Sequence, residues 1–390
     1  MTSTAKQLVA TIIAIVVFTG SLTSCGEFKP PRDAGEIALV VGGRANMPRP
    51  QLVSKAREYF KESVLSRDHL VVVGVSGKPE VQLDMQLESK CNSDSGCEGT
   101  VSDYEDMLSN DVFNALRAKT PEADTLGAIL LAAEVQHQSS KTGPKRIVVI
   151  DNALQTSGDL RLQAPGALAA DAGKVIEQLG GNSGKLKPLA GTEVLLTGLG
   201  SVAAPQPELS LDEQNQLKGL WTKVLSATGA KVVPDLTTFT NTPPLDNLPT
   251  VTPVLPPKRI DDPKGVGCAR FREDQVGFLP DKSVFADAKR VQDVLAPIAE
   301  TLREKKIAVT VTGTTALPED APFTLSTQRA QAVVKELTNQ GVPGSLLQAG
   351  GVGTNFAGYV PPYDATGQFI ETLAVQNRLV IIAPVGQPCP

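Results

Sequence analysis

Histidine is nearly absent from this chain, with only His69 and His137 in 390 residues. His69 sits in a polar turn before an apolar run and His137 at the polar end of a helical pattern, so both read as solvent-facing rather than catalytic. No G-x-S-x-G elbow, Walker loop, H-E-x-x-H pair or dinucleotide-binding glycine fingerprint occurs. Gly198-Leu199-Gly200 is a strand-end turn without the rest of a phosphate motif. Aromatic residues make up 4% of the chain, with one tryptophan, too few for base stacking or a broad sugar platform. Positive charge is not in excess either. Lys and Arg number 37 against 42 Asp and Glu, a net charge of -5, so no basic field points to nucleic acid. Nor is there an apolar run of the roughly 20 residues that a spanning helix needs. These absences argue against an enzyme, a cofactor and a nucleic-acid partner.

What is present begins at the N-terminus. Lys6 precedes the apolar run 8–18, and small and polar residues lead to Leu22-Thr23-Ser24-Cys25. A short positive segment, a short apolar core and small residues before a cut describe an export signal. Leu-Thr-Ser-Cys resembles a lipobox, the cleavage signal of bacterial lipoproteins. That resemblance implies lipidation of Cys25, a bilayer partner and a place on the extracytoplasmic face of the cell membrane. Residues 25–35 then read as a tether. In an exported chain the remaining thiols, Cys91, Cys97, Cys268 and Cys389, read as two disulfides. Spacing favours Cys91–Cys97 around a polar loop, and Cys268–Cys389 across the ends of the C-terminal part. Zinc is the rival use of these thiols, but no closely spaced second ligand pair accompanies them.

Residues 241–263 hold seven prolines and no periodicity, which reads as a semi-rigid extended linker. It separates 36–240 from 264–390. In the first part, apolar runs at 37–41, 70–75, 81–87, 146–150, 193–197 and 231–233 alternate with helical patterns at 51–64, 104–118, 126–138, 166–179 and 211–228. Alternation of this kind predicts a doubly wound, mainly parallel α/β sheet. Ser210 with Glu213 forms a capping box. Leu217, Leu220, Trp221, Val224 and Leu225 make one apolar stripe, which places Trp221 in the core.

The run IALVVGGRANM, Asp124-Thr125 before a helix, RIVVIDN and VLLTGLG together resemble a degenerate von Willebrand factor A domain. The family's Mg²⁺ site would draw on the first-strand motif, on Thr125 and on Asp151. Gly42, Arg44 and Asn46 stand at those motif positions, and a hard cation wants oxygen ligands, so no metal is expected. Arg44, Asn46, Asp124, Thr125, Asp151 and Asn152 remain candidates for a metal-free polar pocket at the strand ends. The competing reading is that Arg44 pairs with Asp151 and fixes two loops.

In the second part, VGFLPDKSVF leads into a helix with Val291, Val294, Leu295, Ile298 and Leu302 on one face. A strand at 307–312 ends at Gly313, LSTQRAQAV opens a second helix, a Gly-rich turn follows at 349–353, and Asn377-Arg378-Leu379-Val380 closes the pattern. This order resembles the OmpA/MotB C-terminal domain, which implies a βαβαβ-type α/β sandwich that associates with peptidoglycan. In that family an Asp after the second strand and the Arg of LSxxRA grip the diaminopimelate of the stem peptide. Arg329 matches the Arg, and Asn377 and Arg378 match the supporting terminal motif. Ala316 stands where the Asp belongs, and Glu319 and Asp320 are the nearby acids. The resemblances imply a non-catalytic envelope lipoprotein that contacts the wall weakly or with altered specificity. Two alternatives stand beside it: a scaffold for another envelope protein, with both ancestral ligand sites lost, and a small-molecule receptor using the first domain.

Overall fold

The computed structural model describes residues 29–89, 94–235, 237–239, 242–255, 267–319, 323–387 and 389. The export signal, Cys25, Cys91, Asp320 and the 256–263 part of the linker lie outside the described residues. The first sheet has six strands: β1 Glu36–Gly42, β2 His69–Val75, β3 Glu80–Gln86, β4 Lys145–Ile150, β5 Glu193–Thr197 and β6 Lys231–Pro234. Their spatial order is β3-β2-β1-β4-β5-β6. All pairings are parallel except β2 with β3.

β1 is buried along its whole length, which explains its unbroken apolar run: a central parallel strand is covered on both faces. Alternate residues serve different cores. Ala38 and Val40 pack into the cluster that holds α4 (Thr125–Gln138), α5 (Ala172–Gln178) and α6 (Leu211–Ser226). Ile37, Leu39 and Val41 pack into the opposite cluster with α1 (Ser54–Ser66) and α2 (Asp94–Asp106). Trp221 is fully buried and its indole N–H donates to Ala153 O at 3.0 Å. The Ser210–Glu213 capping box is formed.

Several expectations are corrected. The helix expected at 104–118 begins earlier, at Asp94, and passes through a π-helical turn (Met107–Val112) into the short α3, Phe113–Ala115. Part of the supposed polar loop between Cys91 and Cys97 is therefore helix. The helix expected at 166–179 splits into a 3₁₀ turn, Ala167–Ala169, and α5, because the Asp171 carboxylate caps a new N-terminus at Lys174 N, 2.9 Å away. The linker is not wholly extended and free. Leu245, Val251 and Val254 are buried, and the Gln206 side chain bonds both the N–H and the C=O of Val254, at 2.8 and 2.6 Å. The end of the tether is docked too, through Arg32 on Asp68 and Glu62.

The second sheet, in order β7-β10-β8-β9, comprises β7 Ala269–Phe271, β8 Val309–Thr314, β9 Leu347–Gly353 and β10 Val380–Pro384. β8 and β9 are parallel, and β10 runs antiparallel to β7 and β8. α7 (Ala288–Lys305) and α8 (Thr324–Asn339) pack on it through the expected apolar stripes. The Gly-rich turn expected at 349–353 is instead part of β9. Glycine there serves contact with α8: a Cβ on Gly351 would lie 2.4 Å from Ser326 Oγ and Thr327 N, and one on Gly313 would lie 2.0 Å from Ser326 O. Cys268 and Cys389 are disulfide-bonded, tying the ends of this sheet as spacing suggested. Among the described residues, no helix is long and apolar enough to cross a membrane.

The two sheets belong to units in direct contact. The short α9 (Glu371–Ala374) meets α5, the turn after it meets the 3₁₀ turn Ala167–Ala169, and Val375 enters the core of the first sheet. Glu371 N donates to Gln178 Oε1 at 2.7 Å and Arg161 N to Thr372 Oγ1 at 2.9 Å.

His69 is not solvent-facing. Its ring nitrogens lie 2.8 Å from Glu36 Oε2 and 2.7 Å from Asp84 Oδ1, linking β1, β2 and β3. Burial opposes its charge, but these two hydrogen bonds outweigh that and raise its pKa. A raised histidine pKa stabilises the fold fully below the unfolded value of about 6.5 and loses that contribution as pH climbs through the folded value. Urea midpoints are expected to fall as pH rises above about 6.5, and His69→Gln is expected to flatten that segment of the profile.

Candidate functional site

Two polar constellations stand at strand ends, and they differ in kind. In the first sheet, Arg44 follows β1 and Asp151 follows β4. Arg44 Nη2 donates to both Asp151 oxygens at 2.9 Å and to Asn152 Oδ1 at 2.5 Å. Thr125 Oγ1, at the start of α4, donates to Asp151 Oδ1 at 3.2 Å. Arg44, Asn46, Thr125, Asp151 and Asn152 are each no more than 1% exposed. Asp124 stands apart as the N-cap of α4, accepting from Gly127 N at 2.8 Å, and burial pushes its carboxyl up to about 6. Five of the six expected pocket residues are thus brought together, but packed on one another instead of lining an opening.

A divalent cation does not fit this donor set. Arg44 occupies both Asp151 oxygens, and among the described residues no three His, Cys, Asp or Glu side chains gather as metal ligands. Removing one member of a buried ion pair leaves an uncompensated charge. Arg44→Ala is therefore expected to lower unfolding free energy by about 3–5 kcal/mol, whereas Arg44→Met with Asp151→Leu is expected to be far milder. Chemical denaturation of the two variants checks this.

The second constellation is open. Arg329, in the second turn of α8, is held at the sheet edge because Gly313 and Gly351 let the start of that helix press onto β8 and β9. It is 6% exposed. Its Nε donates to Lys282 O at 3.1 Å and its guanidinium lies over the Phe278 ring at 5.2 Å. Its two Nη atoms have no hydrogen bond, and the side chain has no ion pair, among the described residues. Burial accordingly pushes the Arg329 guanidinium down from its ordinary range. The side chain lines a cleft of about 790 Å³, shared with Ala316, Glu319, Asp281, Arg378 and, from α5 of the first unit, Lys174.

The other expected residues fall as follows. Glu319 does not pair with Arg329; its carboxylate accepts from Ser326 N at 2.9 Å and Ser326 Oγ at 2.8 Å, capping α8. Arg378 reaches the cleft but is fully engaged, with Glu371 at 2.6 and 2.8 Å and Glu273 at 3.0 Å. Asn377 is buried and clamps both backbone groups of Val360, one strut behind the cleft. Ala316 is buried where a carboxylate was looked for. Sequence reasoning missed Glu273, Asp281 and Phe278, although Phe278 and Asp281 lie inside the VGFLPDKSVF segment it had singled out. It also missed Lys174, for which no sequence signal existed, because only the packing of the two units brings it there.

With this geometry in view, the comparisons are informative about the second unit. The OmpA family model matches residues 278–358, so the chain carries an OmpA-like domain towards its C-terminus. Similar solved structures include a MotB-like protein from Desulfovibrio vulgaris, 20% identical over 30% of this chain and 72% of that one, TM-score 0.24. The OmpA-like domain of FopA1 from Francisella tularensis is 21% identical over 30% and 72%, TM-score 0.23. The cell wall anchor of the T6SS from Pseudomonas aeruginosa is 26% identical over 30% and 78%, TM-score 0.24. No curated protein matches the chain.

Proposed function

We propose that this is a non-catalytic envelope lipoprotein, lipid-anchored through Cys25, whose OmpA-like domain holds peptidoglycan through Arg329. One observation carries the reading: a nearly buried guanidinium whose Nη atoms face a cleft without a carboxylate partner among the described residues. Keeping an unpaired cation out of water is unfavourable by several kcal/mol. An arriving carboxylate offsets that, and the planar guanidinium fork can accept it in a bidentate geometry. The stem peptide's diaminopimelate ends in such a carboxylate. With Ala316 in place of the family's Asp, the grip on the adjacent ammonium is altered, which is why wall binding is expected to be weaker or differently specific. Arg378 and Asn377 serve as supports, the first neutralising Glu371 and Glu273 and the second fixing the segment at Val360. The first domain, with its strand-end residues packed together, acts as a partner surface and spacer in this reading rather than as a small-molecule receptor.

The test is retention of the full-length, detergent-solubilised protein on purified peptidoglycan sacculi. Wild type is expected to sediment with the wall, and Arg329→Ala is expected to lose at least tenfold in affinity, since truncating a buried charged contact removes about 2–5 kcal/mol. Equal retention of the two proteins would rule the proposal out and leave the scaffold alternative.

A further inference from the structure

With Ala316 carrying no charge, another acid stands next to Arg329's own hydrogen-bond partner. Arg329 Nε is held by Lys282 O, and the preceding residue, Asp281, projects into the same cleft. Asp281 adopts a left-handed backbone, φ 53°, which aspartate tolerates better than most residues. Of the other acids lining the cleft, Glu273 pairs with Arg378, Glu319 caps α8 and Asp171 caps α5, while Glu177, on α5, does not adjoin the residue that holds Arg329 Nε in the chain as Asp281 does. Asp281 has one partner, the Lys174 ammonium at 2.7 Å, which arrives from α5 of the other unit. The Asp281 side chain is 78% exposed, so its carboxylate remains accessible from solvent.

We propose that Lys174 stands in for the ammonium of the ligand: a zwitterionic amino-acid end places its carboxylate on Arg329 and displaces Lys174 from Asp281. This rests on the wall-binding reading and adds to it the second clamp and its resident competitor. One ammonium replaces another at the same carboxylate, and loss of the exposed Lys174 pair offsets only part of what the ligand ammonium gains. An exposed ion pair is worth little, so Lys174 moderates affinity rather than blocking the cleft. Arg329 also helps hold the Asp281 carboxyl below its usual range, after the larger effect of Lys174, so the two clamps lie within electrostatic reach of each other. Binding also severs one of the links between the units, while the Gln178 and Thr372 hydrogen bonds remain.

Calorimetric titration of full-length protein in detergent, with the stem tripeptide ending in meso-diaminopimelate and with the same peptide acetylated on its side-chain amine, tests this. Lys174→Met is expected to tighten binding of the free-amine peptide about two- to fivefold and to leave the acetylated peptide unchanged. Asp281→Asn is expected to weaken the free-amine peptide about tenfold, down to the level of the acetylated one. Both side chains are solvent-accessible, and the acetylated ligand gives the same comparison on wild type without any substitution. Equal wild-type affinity for the two peptides, or an unchanged affinity in both variants, overturns the exchange while Arg329→Ala still abolishes binding. Binding that survives Arg329→Ala overturns the wall reading itself.

Discussion

A guanidinium kept from water without a carboxylate beside it is the constraint around which the second unit is arranged. Arg329 is positioned by the approach of α8 to β8 and β9, and that approach exists only because Gly313 and Gly351 carry no side chain. Phe278 supplies an aromatic face and Lys282 a carbonyl. These contacts are weaker than a salt bridge, of order 0.5–2 kcal/mol for the ring, and they leave the outer edge of the fork open. Glu319, in the loop before α8, is turned away to cap the helix that carries Arg329. That negative charge thereby orients the helix bearing the arginine rather than neutralising the arginine itself.

Three arginines kept largely from water make the contrast plain. Arg44 shares Asp151 and Asn152 in a packed strand-end cluster. Arg378 is locked between Glu371 and Glu273, and although burial disfavours its charge these partners raise its pKa. Both pair with carboxylates within the protein and act as internal struts. Only Arg329 of the three lacks an ion pair among the described residues; Arg378 reaches the same cleft but is neutralised there. The same residue type thus serves structure in two places and faces outward in the third, and the difference lies in where the carboxylates stand.

Much of the architecture was legible because hydrophobic patterning reports burial. All six strands of the first sheet were found within two residues, the central parallel ones as continuous apolar runs covered on both faces and β3, the antiparallel edge strand, as an alternation of apolar and polar residues. β9 was misread as a turn because its glycines, which look like breakers, are there to admit a helix. The helix from Asp94 was missed because its first turns are polar and small. Arg329 was identified from the LSTQRA context, but whether any acid approached it was not readable. That depends on side-chain direction in a loop, and for Lys174 on packing between segments more than 100 residues apart. His69 was misjudged for the same reason, since Glu36 and Asp84 meet it only once the strands pair.

The contact between the units gives this arrangement its mechanical meaning. Val375 anchors the second unit in the core of the first, and Lys174 reaches across to Asp281 at the mouth of the cleft. The most direct test of the central claim follows the Arg329 Nε–Hε resonance in ¹⁵N-labelled protein during titration with the diaminopimelate stem peptide. A saturable shift of that resonance, with Arg378 little affected, is the result this account predicts. A peptide that binds while the Arg329 resonance stays in place would contradict it.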